Sequence, residues 1–243
     1  MKDIEVLLVD IGNSKVKITP VSDGKIGETQ DFESMSEAFS IFMKTTPCII
    51  SATGRVDEEE DLLRRKCLFV NHQLTFPIEF AYSSMETLGA DRICMAVGAS
   101  VLFPSQNSLI VDVGTCLTID ILESGKFFKG GVISPGLRMR MKAMSYYTNA
   151  LPDISDTWES IESYLPGKST NACIKLGAFD GMVHEINGFV DAFSRNFTTI
   201  NVILSGGDSV HFESRLKAHI FAGCKIMQEG LYTIWKHNKD WIK

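Results

Sequence analysis

LLVDIGNSKVKI at residues 7–18 decides the fold of this chain, because LIVDVGTCLTIDI at residues 109–121 repeats its pattern. In both stretches an apolar run ends in Asp, a glycine follows two positions later, and an amide or hydroxyl residue leads into a second β-rich run. The pattern predicts a strand, a tight turn and a returning strand. Asp10 and Asp112 lie roughly 100 positions apart, the spacing expected if one domain of ordinary size had been duplicated. Two facing Asp-x-Gly turns then suggest one polyphosphate, held in a cleft between two lobes.

Short apolar runs alternate with helical patterns along the rest of the chain, so the predicted fold class is α/β. A chain of 243 residues can form one large domain or two of about 120 residues, and the repeat favours two. The apolar spacing from Ile93 to Leu102 is helical, and PSQNS at residues 104–108 interrupts it. We therefore predict an N-terminal lobe at 1–104 and a C-terminal lobe at 105–243.

The charge distribution predicts a small-molecule partner. The formal net charge is −6 and the sequence pI is about 5.4, with lysines and arginines scattered among acidic residues. Nucleic acid or an anionic membrane surface would require a basic stripe, which the sequence lacks. No run approaches the roughly 20 apolar residues that span a bilayer, and the first ten residues lack the apolar core of a signal peptide. We expect a cytoplasmic protein that contacts neither nucleic acid nor membrane.

The cysteines indicate a reducing compartment. The chain has six, none in CxxC or metal-ligand spacing, and several lie in apolar stretches where a thiol behaves as a small hydrophobe. The five histidines likewise share no ligand or triad spacing. We therefore expect free thiols, with neither disulfides nor zinc.

The two Asp-x-Gly turns are the first candidate site. One such turn is common in β proteins for structural reasons alone, but two copies favour a ligand. Backbone N–H groups of a glycine turn can bind anionic oxygens, and a nearby Asp can hold a cation that phosphates share. Lys17, at the far side of the first hairpin, is either a contact to an anionic oxygen or an exposed strand lysine.

GADR at residues 89–92 is the second candidate site. Asp91 at a helix start is either a helix cap, with Arg92 in a surface ion pair, or a general base. The helix N-terminus favours the ionised carboxylate, and Gly89 leaves room for close approach of a ligand. A carboxylate can accept a hydroxyl proton late in phosphoryl transfer.

Two glycine-rich turns of the second half are further candidates. GGVISPG at residues 130–136 has glycines that can approach a ligand, and it equally suits a structural loop. SGGD at residues 205–208 is either an adenine-side loop or a plain strand-to-helix turn. Neither turn by itself separates the two interpretations.

Taken together, DIGNSKVK, GADR, DVGTCLT, GGVISPG and LSGGD, in this order and spacing, resemble type III pantothenate kinase, of the superfamily of acetate and sugar kinases, heat-shock chaperone ATPases and actin. The resemblance covers essentially the whole chain. It implies two ribonuclease H-like, actin-like ATPase lobes with ATP between them. It also implies the phosphorylation of pantothenate at its primary hydroxyl to 4'-phosphopantothenate, the first step of coenzyme A biosynthesis.

The resemblance also implies roles for single residues. Asp91 would be the catalytic base, and Asp112 would bind a monovalent cation, potassium or ammonium, while Mg²⁺ would accompany ATP. The implied pantothenate contacts are Tyr82, Gly89, Ala90, Asp91, Arg92 and Thr170. The implied ATP contacts are Asp10, Ile11, Gly12, Asn13, Ser14, Lys15, Val16, Lys17 and Thr115. A family active site near a dimer interface implies a homodimer.

The chain departs from the family pattern at three places. Ser14 stands where many members have Thr, Cys116 replaces a more usual Ala, and Ser84-Met85 replaces the Asn-Pro that follows the tyrosine. Two other functions stay open: a non-catalytic nucleotide-binding regulator of the same fold, and a related kinase for a sugar or small acid. The intact Asp91 and both phosphate turns argue against the regulator. The short chain, without inserted specificity segments, argues against the sugar kinase.

Overall fold

A computed structural model of the chain describes residues 4–13, 15–41, 46–53, 67–197, 199–218, 220–223 and 225–242. The chain forms two compact units. The first unit combines residues 1–105, 123–129 and 225–243, and the second combines residues 106–122 and 130–224. No helix of the described part of the chain is both long enough and apolar enough to cross a membrane.

A mixed sheet forms the body of the first unit. Its described strands are β1 (Val6–Ile11), β2 (Val16–Ser22), β3 (Lys25–Ile26), β4 (Gln30–Phe32), β5 (Cys48–Ala52) and β6 (Cys67–Phe69). They lie in the order β3-β2-β1-β5-β6, and β4 pairs with β2. β1 pairs antiparallel with β2 and parallel with β5, so the predicted hairpin around Asp10 is confirmed. A short strand, β7 (Glu79–Phe80), pairs in parallel with Phe127 and Phe128.

The second unit is built on another mixed sheet. Its described strands are β8 (Ser108–Val113), β9 (Cys116–Glu123), β10 (Phe127–Pro135), β11 (Asn201–Ser205) and β12 (Ile220–Ala222), of which β9 contributes as far as residue 122 and β10 from residue 130 onward. They lie in the order β12-β11-β8-β9-β10. β8 pairs antiparallel with β9 and parallel with β11, so the predicted hairpin around Asp112 is also confirmed. The mixed α/β architecture that the sequence predicts is therefore present in both units.

Helices cover the two sheets. The described α-helices are α1 (Met35–Ile41), α2 (Ala90–Leu102), α3 (Leu137–Tyr146), α4 (Thr170–Lys175), α5 (Gly181–Ser194) and α6 (Ile226–Asn238). The first unit contains α1, α2 and α6, and the second contains the other three. A single π-helical turn, Leu176–Asp180, joins α4 to α5.

Two glycines let α2 and α6 cross in close contact. A Cβ on Gly98 of α2 would collide with the Ile226 carbonyl of α6, and a Cβ on Gly230 of α6 would collide with the Cys94 carbonyl of α2. The residues of α2 from Ile93 to Ala99 are buried as well. Because interiors are close-packed, this contact holds α2, and with it the GADR turn at its N-terminus, in one position.

A disulfide joins Cys48 to Cys67, so the prediction that the chain has none is wrong. The two cysteines are register partners on the parallel strands β5 and β6, with their Cα atoms 4.6 Å apart. Strand pairing brings them together, and their separation in sequence does not reveal it. Free thiols remain on Cys94, Cys116 and Cys173. Cys224 lies outside the described residues.

Candidate active site

The turn between β1 and β2 contains the first group of predicted ATP contacts. Asp10 ends the buried run of β1, and Lys17 lies directly opposite it on β2. The Gly12 N–H donates to the Lys15 carbonyl oxygen at 3.0 Å, which closes the turn. Ser14 lies outside the described residues. The arrangement is the strand, tight turn and returning strand that the sequence predicts.

The predicted ATP contacts of this hairpin differ in what they can offer a ligand. Ile11 and Val16 are buried in the core, so only their backbone atoms are available. Asn13 and Lys15 are exposed at the tip, where the Lys15 ammonium lies 3.8 Å from the carboxylate of Asp31. The side chains of the tip are therefore polar and accessible.

Asp10 is a half-buried acid beside a second acid. Burial is the main reason that its pKa rises from 3.8 to about 6. The positive charge of Lys17 opposes this rise, and the negative charge of Asp91 adds to it. The hydroxyl of Ser51, its register partner on β5, lowers the pKa. The first unit therefore brings two predicted site residues, Asp10 and Asp91, into electrostatic contact.

Asp91 lies in the first turn of α2. Gly89 precedes the helix as its N-cap, and a Cβ at that position would collide with the Asp91 carboxylate oxygen Oδ1. The same oxygen accepts a hydrogen bond from the Arg92 N–H at 2.8 Å. Burial raises the pKa of Asp91, while the Arg92 N–H and the Arg92 charge lower it. Asp91 is thus a desolvated carboxylate whose ionised form the helix N-terminus supports.

Arg92, which follows the candidate base, is an almost fully buried cation. Its side chain points to two aromatic rings, with the guanidinium carbon 5.6 Å from the centroid of Tyr82 and 5.8 Å from that of Phe128. These distances are in the range of cation–π contacts. The structure therefore brings three predicted pantothenate contacts together: Tyr82, Asp91 and Arg92. Ala90, the first residue of α2, lies next to them in the chain.

Three residues near Asp10, Asp91 or Arg92 were not predicted from the sequence. Ser51 ends a buried run beside β1, so the meeting of parallel strand ends could have revealed it. Cys94 is buried one helical turn after Asp91, and burial together with the charges of both acids raises the pKa of its thiol. Phe128 comes from a strand some 35 residues later, and no local pattern signals it.

The turn between β8 and β9 is the counterpart in the second unit. Asp112 pairs with Thr118 across the hairpin and with Ser205 on β11. The Gly114 N–H donates to the Cys116 carbonyl oxygen at 3.0 Å. In both hairpins the N–H of the glycine two residues after the aspartate closes the turn, but the acceptor carbonyl lies three residues further on in the first hairpin and two residues further on in the second.

Two other predicted turns meet the β8–β9 turn. The Gly136 N–H donates to the Thr115 carbonyl oxygen at 3.1 Å, and a Cβ on Gly136 would collide with that carbonyl. Gly206 has a φ of 98°, and a Cβ there would collide with the backbone of Val113. The Asp208 N–H donates to the Val113 carbonyl oxygen at 3.0 Å. DVGT, SPG and SGGD therefore form one contiguous group of backbone turns.

Thr170, the last predicted pantothenate contact, lies outside the group of backbone turns formed by DVGT, SPG and SGGD. It is exposed at the first residue of α4, directly after the N-cap Ser169, whose hydroxyl accepts a hydrogen bond from the Ala172 N–H at 3.2 Å. In the described part of the chain, no cluster of three or more His, Cys, Asp or Glu side chains could hold a metal ion. A cation at Asp112 would therefore depend on backbone or ligand oxygens.

The comparison with known proteins identifies the family. A family model described as type III pantothenate kinase matches residues 6–192. The chain belongs to the type III pantothenate kinase family. One type III pantothenate kinase, from Cytophaga hutchinsonii, is 36% identical over 96% of this chain and 99% of its own length. Another, from Flavobacterium johnsoniae, is 34% identical over 97% of this chain and 99% of its own length.

Solved structures share the fold of this pantothenate kinase at lower identity. A Baf family protein from Campylobacter jejuni has a TM-score of 0.61 at 21% identity, with 96% of this chain and 99% of that chain covered. A protein assigned as a 2-dehydro-3-deoxygalactonokinase from Sinorhizobium meliloti has a TM-score of 0.56 at 12% identity, with 95% and 96% covered. At these identities the likeness shows only that the chain and these two proteins share a fold.

Proposed function

We propose that this type III pantothenate kinase transfers the terminal phosphoryl group of ATP to the primary hydroxyl of pantothenate, with Asp91 as the general base. The product is 4'-phosphopantothenate, and the reaction is the first step of coenzyme A biosynthesis. The observation that supports Asp91 most directly is its position in the first turn of α2, where its carboxylate is desolvated. It lies between the buried Arg92 and Gly89, at which any side chain would collide with the Asp91 carboxylate.

The environment of Asp91 suits a base that acts late in the reaction. Burial raises its pKa, which makes the carboxylate a stronger proton acceptor than an exposed aspartate. The helix N-terminus and the Arg92 charge oppose that rise and so favour the ionised form of the Asp91 carboxylate. As the hydroxyl oxygen attacks the γ-phosphorus, its proton passes to Asp91, and the bond to ADP breaks.

The two hairpin turns would hold the phosphates. Backbone N–H groups in the β1–β2 and β8–β9 turns can bind phosphate oxygens, with Lys17 near the first and Thr115 in the second. Mg²⁺ commonly binds through one or two carboxylates plus substrate phosphates, and Asp10 fits that donor set. Asp112 and the carbonyl oxygens of its turn are hard oxygen ligands, which suit a potassium ion. The same oxygens could accept hydrogen bonds from an ammonium ion. These cations would neutralise phosphate charge during transfer.

The wider arrangement is also a proposal. We place ATP in a cleft between two ribonuclease H-like lobes related by duplication, because each unit carries an antiparallel Asp-x-Gly hairpin with a parallel strand beside its first strand. A homodimer is supported by large apolar side chains of the second unit that are 79–85% exposed. They are Tyr146, Tyr147, Tyr164 and Leu165. A cytoplasmic location follows from the substrates.

The alternative of a non-catalytic regulator has no support in the comparisons, because the curated relatives are named as kinases. Asp91 is also intact, and a protein that only binds nucleotide does not require a general base.

The test is ADP release by the purified protein with Mg-ATP and potassium, with and without pantothenate, and with the product identified by mass. Asp91→Asn should reduce turnover by at least a hundredfold while ATP binding persists. Glu86→Gln, an exposed acid just before the same helix, is the matched control and should keep full activity. Near-normal turnover of Asp91→Asn would remove Asp91 from the mechanism. Equal activity in sodium and potassium would contradict the cation site at Asp112.

A further inference from the structure

The second unit contains a cavity of about 830 Å³, a size typical of sites for small organic molecules. Residues of the segments 158–165 and 175–180 line it, together with His184, His211 and Arg215. The second segment includes the π-helical turn Leu176–Asp180, and such turns are rare and frequently lie at functional sites. No described residue with a proposed role in phosphoryl transfer lines this cavity. It is therefore a candidate binding site separate from the proposed active site.

Part of the cavity lining is aromatic and apolar. The Trp158 and Phe179 side chains are almost fully buried, and their rings stack with centroids 5.4 Å apart. Ile161 and Leu176, which also line the cavity, are half-buried. These side chains offer an apolar surface to the body of a ligand.

Two cations lie against the rings of this lining. The Nζ of Lys175 is 5.5 Å from the centroid of the Trp158 ring, and the Cζ of Arg215 is 5.3 Å from that of Phe179. Both distances are in the range of cation–π contacts. A cationic ligand would be repelled by these two positive charges, whereas an anionic ligand would be attracted to them. The charges next to the rings therefore favour an anion.

Lys175 lacks a carboxylate partner among the described residues. It is half-buried, and its ammonium donates to a neutral acceptor, the Ile161 carbonyl oxygen, at 2.7 Å. An ammonium has three N–H donors, so two remain. Arg215, by contrast, donates to the Asp180 carboxylate at 2.7 Å, and its guanidinium has further N–H donors. Because a partly desolvated charge is stabilised by an opposite charge nearby, a bound anion would supply the partner that Lys175 lacks.

Three carboxylates also line the cavity, and they do not neutralise Lys175. That of Asp180 is paired with Arg215. Glu159 and Glu162 are exposed, and the nearer partner of Glu159 is His211, with 3.8 Å between Oε1 and Nε2. Solvent screens exposed charges more than half-buried ones. The half-buried part of the lining therefore keeps a positive charge.

We infer that this cavity binds a small organic anion whose acidic group, a carboxylate or a phosphate, accepts hydrogen bonds from Lys175 and Arg215. The apolar or planar body of the anion contacts Ile161 and Leu176. The charge-assisted hydrogen bonds select an anion, and the apolar contacts select an organic anion over an inorganic one. The inference goes beyond the proposed function, because it concerns residues that phosphoryl transfer does not use.

The experiment uses two fluorescent probes that differ by one charged group. Anilinonaphthalene sulfonate is a planar organic anion, and phenylnaphthylamine is the same molecule without the sulfonate. The full chain, without ATP or pantothenate, is titrated with each probe. Lys175→Gln should weaken binding of the sulfonate roughly tenfold, the loss expected of a hydrogen bond to a charged group, and should leave binding of the uncharged probe within about twofold. Lys168→Gln, an exposed lysine outside the lining, is the matched control and should change neither affinity.

A second variant covers the case in which Lys175→Gln does not fold. Arg215→Gln should weaken binding of the sulfonate roughly threefold or more, because it removes a donor and leaves the Asp180 carboxylate unpaired. Arg195→Gln, an exposed arginine outside the lining, should have no effect. The inference is wrong if the wild type does not bind the sulfonate, or if the cavity variants bind it as tightly as the controls. It is also wrong if the cavity variants weaken both probes equally.

Competition then identifies the acidic group of the ligand. Benzoate and phenyl phosphate present a carboxylate and a phosphate on the same apolar ring. Displacement of the sulfonate probe from the wild type by benzoate at the lower concentration would assign a carboxylate, and displacement by phenyl phosphate at the lower concentration would assign a phosphate. Displacement by neither compound would overturn the inference.

Discussion

Replacing Asp10 by asparagine should stabilise the fold while it removes activity. The folded chain raises the pKa of Asp10 from 3.8 to about 6, mainly through burial. A shift of about two units corresponds to about 3 kcal/mol by which folding disfavours the ionised carboxylate. Asparagine has nearly the same shape and carries no charge, so Asp10→Asn should increase the free energy of unfolding by up to about 3 kcal/mol at pH 8. For a chain of this length the unfolding midpoint would rise by about 6–12 °C.

The sign of the pH dependence follows from the same shift. Between pH 3.8 and about 6 the folded state holds a proton on Asp10 that the unfolded state has released. The stability of the wild type therefore falls as the pH rises from 3.8 to about 6. Above this window the contribution of Asp10 to stability no longer changes with pH. The advantage of Asp10→Asn should be near zero at pH 4 and fully present at pH 8. The wild-type kcat/KM for Mg-ATP should decrease as the pH falls below about 6, because this parameter reports the ionisation of the free protein and a protonated Asp10 is a poor ligand for Mg²⁺.

The assay is urea unfolding of wild type, Asp10→Asn and Asp23→Asn at pH 4, 6 and 8. Asp23 is an exposed acid in the turn before β3, with a φ of 51° that asparagine also adopts, and its replacement should leave stability unchanged. The reasoning is refuted if Asp10→Asn is no more stable than wild type at pH 8, or if its advantage is the same at every pH. A stable variant with full kinase activity would contradict the role of Asp10 in ATP binding.

Three further substitutions, with one control, test the packing that positions the site. Gly98→Ala should destabilise the fold by about 1–3 kcal/mol, because its Cβ would collide with a backbone carbonyl of α6. The control Gly188→Ala, in open space on α5, should stabilise the fold by about 0.5–1 kcal/mol. Urea unfolding measures both variants, and equal effects would contradict the close crossing of α2 and α6. Asn238→Ala should lower the free energy of unfolding by about 2–3 kcal/mol in the same assay. The buried Asn238 amide accepts a hydrogen bond from the Thr75 N–H at 2.9 Å and donates one to the Thr75 carbonyl oxygen at 2.8 Å. A loss below about 0.5 kcal/mol would contradict a stabilising role for these two hydrogen bonds. Gly136→Ala should raise the KM for ATP severalfold by displacing the β8–β9 turn, and an unchanged KM would separate that turn from the nucleotide.

Local features of the fold could be predicted from the sequence. The two hairpins, the buried strand before SGGD and the helix that begins at GADR all follow from apolar periodicity and turn chemistry, which act within a few residues. The resemblance named the family, and the family comparison confirms it. The residue roles remain predictions, although the first unit does bring Asp10, Asp91 and Arg92 close to one another.

Contacts between distant segments could not be predicted. Nothing in the pattern of residues 123–129 or 225–243 indicates that both pack in the first unit, where they supply Phe128 and α6. The pairing of Cys48 with Cys67 was missed for the same reason, because it depends on which strands become neighbours.

The sequence by itself determined the two Asp-x-Gly hairpins, the α/β class and the family, because strand, turn and motif signals lie in short runs of chain. Tertiary structure alone decided that Asp10 is a half-buried acid with a raised pKa beside Asp91, and that Phe128 lies against Arg92. Burial and electrostatic coupling depend on all the segments that surround a group, and close packing selects those segments irrespective of their distance along the chain.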